Sequence, residues 1–387
     1  MNYRKFGRTG WEVSALGFGC MRLPTTDGNA GSGNIDEPEA IRLIRHGIDA
    51  GINYVDTAYP YHAEKSEYIV GKALLDGYRQ RVKLATKSPV WLINSKSSFD
   101  KYLNEQLQKL QTDNIDYYLF HALDENRWKN AILRYDVLER AEAAIRDGRI
   151  GTIGFSFHDG PETFIEIVDG YDRWSFCQIQ YNYLDTENQA GTKGLQHAAQ
   201  KGLAVSIMEP LLGGRLATPP KSVESLLTET GKGWSPAEWA LQWIWNQPEP
   251  AVVLSGMGEM SQVEENIKAA DRSGIALLSE ADLQTIQTAK ELYASKIPIP
   301  CTNCGYCQPC PNGVNVPRSF LLYNDAAIHE DPSTPRFIYR TYLGEKERAD
   351  QCIVCRECEA KCPQKIAIAE WLPKVHAVLG EGKPLPV

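Results

Sequence analysis

Short apolar runs alternate with longer amphipathic stretches along most of the chain. The runs are Ala15–Cys20, Tyr54–Thr57, Lys83–Lys87, Tyr117–His121, Thr152–Ser156, Phe176–Gln180, Ala204–Met208 and Val252–Ser255. Each is short and apolar, so each predicts a strand. Between them apolar residues recur with helical spacing. Ile41, Ile44 and Ile48 share one face of Glu39–Ala50, and Leu103, Leu107 and Leu110 share one of Phe99–Leu110. Gly51 and Gly202 stand where helices should end. Strand–helix units repeated in this way predict an α/β chain with a parallel sheet, closed as a (β/α)8 TIM barrel of ~250 residues. Ahead of the first strand, Tyr3–Phe6, Gly7–Gly10 and Trp11–Val13 predict a hairpin across the barrel floor. The loop Thr25–Gly33 is flexible by composition.

The pattern changes at Ile297-Pro298-Ile299-Pro300, which reads as a stiff linker. It separates an expected barrel domain, 1–296, from a small domain, 297–387, whose candidate helices are Val316–His329 and Phe337–Ala349. Composition then narrows the function. Hydrophobic residues make up 43% and charged residues 23% of 387, as in ordinary globular proteins. The net charge of −8 argues against a nucleic-acid partner. No apolar run approaches the ~20 residues of a membrane span. The N-terminal segment has charge but no apolar core behind it, so it is not read as a secretory signal. A cytoplasmic location is expected.

Eight of the ten cysteines fall in two bursts. The first holds Cys301, Cys304, Cys307 and Cys310, followed by Pro311; the second holds Cys352, Cys355, Cys358 and Cys362, followed by Pro363. Cysteines three apart rarely suit four local disulfides, and zinc sites usually take paired C-x-x-C units facing each other. Three thiolates at three-residue intervals let one loop wrap three corners of an iron–sulfur cube. The fourth Cys, before a Pro, then ligates the other cube, as in two-cluster ferredoxins. The expected wiring places Cys301, Cys304, Cys307 and Cys362 on one [4Fe–4S] cluster and Cys352, Cys355, Cys358 and Cys310 on the other. Only two residues separate Cys307 from Cys310, where the ferredoxin run has three. The long helical separation between bursts resembles α-helical ferredoxin domains. Cys20 and Cys177 lie in apolar runs and read as small buried hydrophobes.

A parallel barrel gathers its chemistry where its strands end. There the sequence places Asp56, Lys87 and His121 on three successive strands, then Ser156, Gln178 and Met208. One such residue could cap a turn or snorkel at the rim; three ionisable groups converging on one cleft point to a functional site. The loop Asp56-Thr57-Ala58-Tyr59-Pro60-Tyr61 matches the D-T-A-x-x-Y motif of the aldo-keto reductase family. Gly17, Gly19, Thr86-Lys87 and Leu119-Phe120-His121 match further features in order. The chain therefore resembles that family from about Tyr3 to Ala270, and as a whole its ferredoxin-tailed subgroup.

The resemblance implies a carbonyl or alcohol substrate and transfer of hydride and proton. Tyr61 is then the general acid, with Lys87 expected to lower its pKa and Asp56 to hold Lys87 charged. His121 would orient the carbonyl oxygen. Trp91 and Trp128 either line the substrate pocket or pack beneath long loops. Family members hold the nicotinamide amide with a Ser-Asn pair and a Gln. Ser156 and Gln178 match, but Phe157 stands at the Asn position, and Met208 replaces the aromatic on which the ring stacks. Leu211, Gly213, Gly214 and Arg215 offer glycine backbone and one cation to cofactor phosphates. Glu265 and Asn266 match the adenine-contacting pair, and the helix start near Ser261 offers a further phosphate position. No Lys or Arg occurs from Val252 through Ile267, so NADH is favoured over NADPH. The Phe157 and Met208 departures keep FMN as an alternative. In that case the protein transfers electrons to a redox partner; a non-catalytic regulatory subunit and purely structural clusters are the remaining readings.

Overall fold

A computed structural model describes every residue except 30, 302–304, 306, 363 and 387. Its chain divides into two compact units. One comprises Met1–Ala217 and Trp234–Leu283; the other comprises Thr218–Gly233 and Gln284–Val387.

The first unit is a closed, eight-stranded parallel barrel. A short antiparallel hairpin, β1 (Tyr3–Lys5) and β2 (Glu12–Ser14), precedes it. The barrel strands are β3 (Leu16–Gly19), β4 (Tyr54–Asp56), β5 (Lys83–Ser88), β6 (Ile115–Leu123), β7 (Ile150–Phe157), β8 (Phe176–Gln180), β9 (Ala204–Met208) and β10 (Pro250–Ser255). They pair in chain order, with β10 closing onto β3. All eight expected strands are present, and their ends differ from expectation by a few residues at most.

The hairpin closes the barrel floor for a definite physical reason. Phe6 is fully buried, and its ring meets Tyr54, Tyr117 and Phe176 at centroid distances of 5.8, 4.6 and 5.7 Å. Removing such a ring costs about 3–5 kcal/mol. Arg4 ties the hairpin to the last strand by donating to the carbonyls of Gln247 and Pro250, at 3.0 and 2.7 Å. Helices cover the outside; Glu37–Asp49 starts at Asp36, whose carboxylate accepts from the Glu39 amide at 3.2 Å.

The second unit is built from helices, chiefly Val316–Ile328, Ser333–Tyr342 and Ile368–Leu379. Asn315 caps the first of them, with a Pro in the first turn. Phe320, Tyr323, Tyr339, Leu372 and Val375 form its core. The helix expected over Phe337–Ala349 begins earlier, because Pro335 is tolerated in a first turn. It ends at Tyr342, ahead of Gly344. The segment expected as a linker is also different. Ile299 is fully buried in this core, with its amide donating to Asn324 Oδ1 at 3.1 Å and its carbonyl accepting from Asn324 Nδ2 at 2.7 Å. Two backbone bonds and an apolar anchor make it part of the unit. Among the described residues, no helix is long and apolar enough to cross a membrane.

Candidate functional site

Asp56 ends β4 and Lys87 lies one residue short of the end of β5, so both side chains meet inside the barrel at its upper rim. Lys87 is 1% and Asp56 2% exposed. The ammonium has three acceptors for its three hydrogens: Asp56 Oδ1 at 2.6 Å, the Thr57 carbonyl at 2.8 Å and Tyr61 Oη at 3.3 Å. Burial works against its charge, but Asp56 and Tyr61 outweigh it and hold Lys87 above the ordinary lysine value. Burial in turn raises Asp56 against the pull of Lys87. The full set of acceptors favours the ion pair.

Tyr61 departs from the expectation of a lowered pKa. Burial pushes its phenol above the ordinary value; Lys87 pulls it down, while Asp56 and Glu209 add to the rise. The phenol is thus protonated at neutral pH. The chain beyond it is strained, since His62, Ala63 and Glu64 all have φ between 51° and 68°. Left-handed geometry costs a non-glycine residue roughly 1–2 kcal/mol. The turn is held by bonds from the Lys65 amide to the His62 carbonyl and from the Ser66 amide to the Tyr61 carbonyl, both 3.2 Å. His62 is 2% exposed and pins the preceding loop, its Nε2 accepting from the Leu23 amide at 3.1 Å and its Nδ1 facing the Ser32 carbonyl at 2.7 Å. Asp27 accepts from the Asn29 amide, Ser32 and Asn34 at 2.9–3.0 Å, so the described part of Thr25–Gly33 is a bonded turn, with residue 30 outside the described residues.

His121 sits where the β6–β7 register shifts between Phe120 and Leu123, and its ring is 6.0 Å from that of Tyr61. Burial first, then the charge of Lys87, holds it well below the ordinary histidine range, so the imidazole is neutral. Its Nδ1 is buried with no hydrogen-bond partner among the described residues. The two tryptophans separate. Trp91 is 43% exposed with its ring 5.3 Å from His121, whereas Trp128 is 2% exposed and packs on Trp174.

The candidate cofactor residues are less uniform. Ser156 Oγ accepts from the Ala122 amide at 2.7 Å, and Gln178 is 2% exposed with Oε1 unpartnered among the described residues. Phe157 is fully buried against Phe155 and Phe164 and packs in the core. Met208 ends β9, half-buried. Leu211 precedes the turn Leu212–Gly214, in which Gly213 and Gly214 have φ of 67° and 98°; Arg215 follows. Asn266 is buried and donates to Ser255 Oγ at 3.1 Å, while exposed Glu265 accepts from Ser235. Gln262 folds back onto the Gly258 amide at 3.0 Å, at the start of helix Met260–Asp271. One basic residue escaped the sequence reading. Arg22, from the loop after β3, lies against Gly256, where an added Cβ would fall 3.1 Å from Arg22 Cβ; at Gly213 it would fall 3.5 Å from Arg22 Nη2. Only barrel closure brings these loops together.

In the second unit, Cys301, Cys307 and Cys362 line one cavity with Phe320, Ile366 and Ile368. Cys304 and Pro363 lie outside the described residues. Cys362 thus shares this cavity with two cysteines of the first burst. Cys310, Cys352 and Cys358 pack against the same core, and Cys355 is exposed. Cys352 Sγ accepts from the Val354 amide at 3.4 Å. Burial pushes the Cys358 thiol up to about 11, with Cys352 and Cys355 contributing. Three thiols lining one apolar cavity suit a resident iron–sulfur group. Cys20 and Cys177 are fully buried, and burial raises both thiols.

A parallel barrel with a Lys–Asp–Tyr cluster at its rim, joined to a cysteine-rich helical unit, defines an oxidoreductase architecture. The sequence matches the aldo/keto reductase family over residues 15–291 and a 4Fe-4S dicluster domain over residues 300–367. The chain belongs to the aldo/keto reductase family and carries a 4Fe-4S dicluster domain. It is 26% identical over 326 residues to the oxidoreductase YqkF of Bacillus subtilis, covering 76% of this chain and 98% of that one. The oxidoreductase C215.11c of Schizosaccharomyces pombe is 26% identical over 280 residues, covering 69% of this chain and 84% of its own. Among solved structures, the holo form of aldo-keto reductase AKR11C1 from Bacillus halodurans is similar, at TM-score 0.61 and 27% identity, covering 75% of this chain and 96% of that one.

Proposed function

We propose that the protein transfers hydride between a nicotinamide cofactor, NADH in preference to NADPH, and a small carbonyl or alcohol substrate. The observation that carries this reading is the Lys87 ammonium shared by Asp56 and Tyr61. A bound reduced nicotinamide would supply the hydride. Tyr61 supplies the proton as the carbonyl oxygen becomes alkoxide. Its phenol is protonated beforehand, and Lys87 stabilises the phenolate that remains. Asp56 fixes the lysine in place. Neutral His121 donates a hydrogen bond to the substrate oxygen without competing as an acid, and Trp91 borders the pocket. Ser156 and the buried Gln178 carbonyl, unpartnered among the described residues, fit an amide group. Met208, Leu211, Gly213, Gly214, Arg215, Glu265 and Asn266 would hold the rest of the cofactor.

The second unit would hold two [4Fe–4S] clusters, which supply one-electron transfer. Cys301, Cys304, Cys307 and Cys362 serve one; Cys352, Cys355, Cys358 and Cys310 serve the other. The shared cavity of Cys301, Cys307 and Cys362 supports the crossed assignment. A second reading, FMN in the barrel with electrons passing to a redox protein, is favoured by Phe157, which is packed away and leaves the amide one partner short. An anaerobic preparation tests both. The first reading expects about eight irons and eight sulfides per chain, iron–sulfur absorption without flavin bands, and NADH-dependent aldehyde reduction. Flavin bands transfer the conclusion to the second reading; zinc without sulfide removes the clusters.

A further inference from the structure

A buried polar layer lies on the outer side of the β5–β6 pair, behind Lys87. Glu67, Thr86, Gln106 and Tyr118 are all fully buried there. Glu67 Oε1 accepts from Thr86 Oγ1 at 2.7 Å and from Gln106 Nε2 at 2.6 Å. Tyr118 Oη donates to Gln106 Oε1 at 2.7 Å. The remaining Gln106 hydrogen reaches the main-chain carbonyl of Lys87 at 3.0 Å. Glu67 and Gln106 lie on the helices Ser66–Ala73 and Lys96–Lys109, which an apolar layer would hold at least as well as a buried carboxylate. The directional bonds instead hold Gln106, whose amide donates to the carbonyl of the residue whose ammonium touches Tyr61. On the β6 side the ladder runs past Lys87, opposite Leu119, to Ser88, opposite Phe120, but on the β4 side pairing stops at Ala85, and Pro89 follows with no N–H to donate.

We propose that Gln106 is a positioning residue for Lys87. Held at both ends by Glu67 and Tyr118, it fixes the end of β5 so that Lys87 Nζ meets Tyr61 Oη. The inference rests on the acid role given to Tyr61 above. Lys87 displaced from the phenol stabilises phenolate less, so the Tyr61 pKa rises. The protonated acid then persists to higher pH, while its reactivity falls.

The test compares Gln106→Leu with the unaltered holoenzyme, using NADH and 4-nitrobenzaldehyde. Expected are a fall in kcat of about tenfold, a KM for NADH within about twofold, and a basic limb of the kcat–pH profile displaced upward by about half a unit or more. Lost stability alone lowers the amount of active enzyme without moving that limb. Should Gln106→Leu fail to fold, Gln106→Met, close in length and without a donor, carries the same readings. Gln106→Glu keeps the size but loses the donated hydrogens, and should not rescue the profile. A folded variant with the unaltered profile overturns the proposal. Tyr61→Phe separates the two readings. Its inactivity beside an unchanged Gln106→Leu sinks this inference alone, whereas an active Tyr61→Phe sinks both.

Discussion

The phenol oxygen of Tyr61 lies 3.3 Å from Lys87 Nζ, and the same nitrogen is 4.9 Å from the centre of the Tyr61 ring. The ammonium therefore acts on both the oxygen and the π face of one residue. It is itself tied to Asp56 and the Thr57 carbonyl, so Tyr61 has little freedom to leave it.

Tyr61→Phe keeps the ring and its cation contact but removes the proton. Carbonyl reduction should fall by ~10²–10⁴-fold, the usual contribution of a general acid. NADH affinity, measured by fluorescence titration, should stay within about twofold. Retention of more than about a tenth of kcat would remove Tyr61 from the acid role.

The eight strands and the chemistry on their ends were legible because both depend on local pattern: apolar runs, and polar residues where those runs stop. Asp56 and Lys87 needed only the strand count to be brought together, and Tyr61 came from the loop motif that follows Asp56. The pKa of Tyr61 was not legible, because burial is a property of the packed barrel and here exceeds the pull of Lys87. Ile299 was misread for a related reason. Proline composition describes stiffness, whereas its partner Asn324 lies in a later helix. Arg22 is not legible from the stretch after β10, because only barrel closure puts β3 beside β10.

His62 links protonation to the loop before Tyr61. The Ser32 carbonyl only accepts, so Nδ1 carries the hydrogen and Nε2 is the acceptor for Leu23. Protonation at Nε2 destroys that bond. Burial lowers the His62 pKa, so between the folded value and the unfolded ~6.5 the unfolded chain binds more protons. Stability is therefore full above the unfolded pKa and lost as pH falls through the folded one; His121 and His158 have the same sign. His62→Gln should melt lower at pH 7 and show a shallower fall in Tm towards pH 5.5. Equal slopes would exclude His62 as a contributor.

Arg22 reaches the loops that follow β9 and β10, where the candidate cofactor residues gather. A charge-assisted bond to phosphate contributes about 1.5–3 kcal/mol. Arg22→Ala should thus raise the KM for NADH by roughly ten- to a hundred-fold, with kcat nearly unchanged. An equal effect with NADPH places the guanidinium on phosphates common to both nucleotides. An effect confined to NADPH overturns the expected preference for NADH, and no effect on either removes Arg22 from cofactor binding.

The last prediction concerns electron flow between the proposed nicotinamide and the proposed clusters. Hydride carries two electrons together, whereas each [4Fe–4S] cluster accepts one. Proteins that join the two commonly interpose a flavin, which exchanges electrons either way. The rim cluster of Asp56, Lys87, Tyr61 and His121 offers acid–base groups and no one-electron carrier. Under anaerobic conditions, NADH alone should therefore leave the clusters oxidised in flavin-free protein. Bleaching of the visible absorption and the EPR signal of reduced clusters are the readouts, with dithionite as the positive control. Added FMN should restore reduction only under the alternative reading, in which the barrel binds flavin. Rapid reduction by NADH in protein shown to lack flavin would contradict the two-electron argument and require a direct route from nicotinamide to cluster.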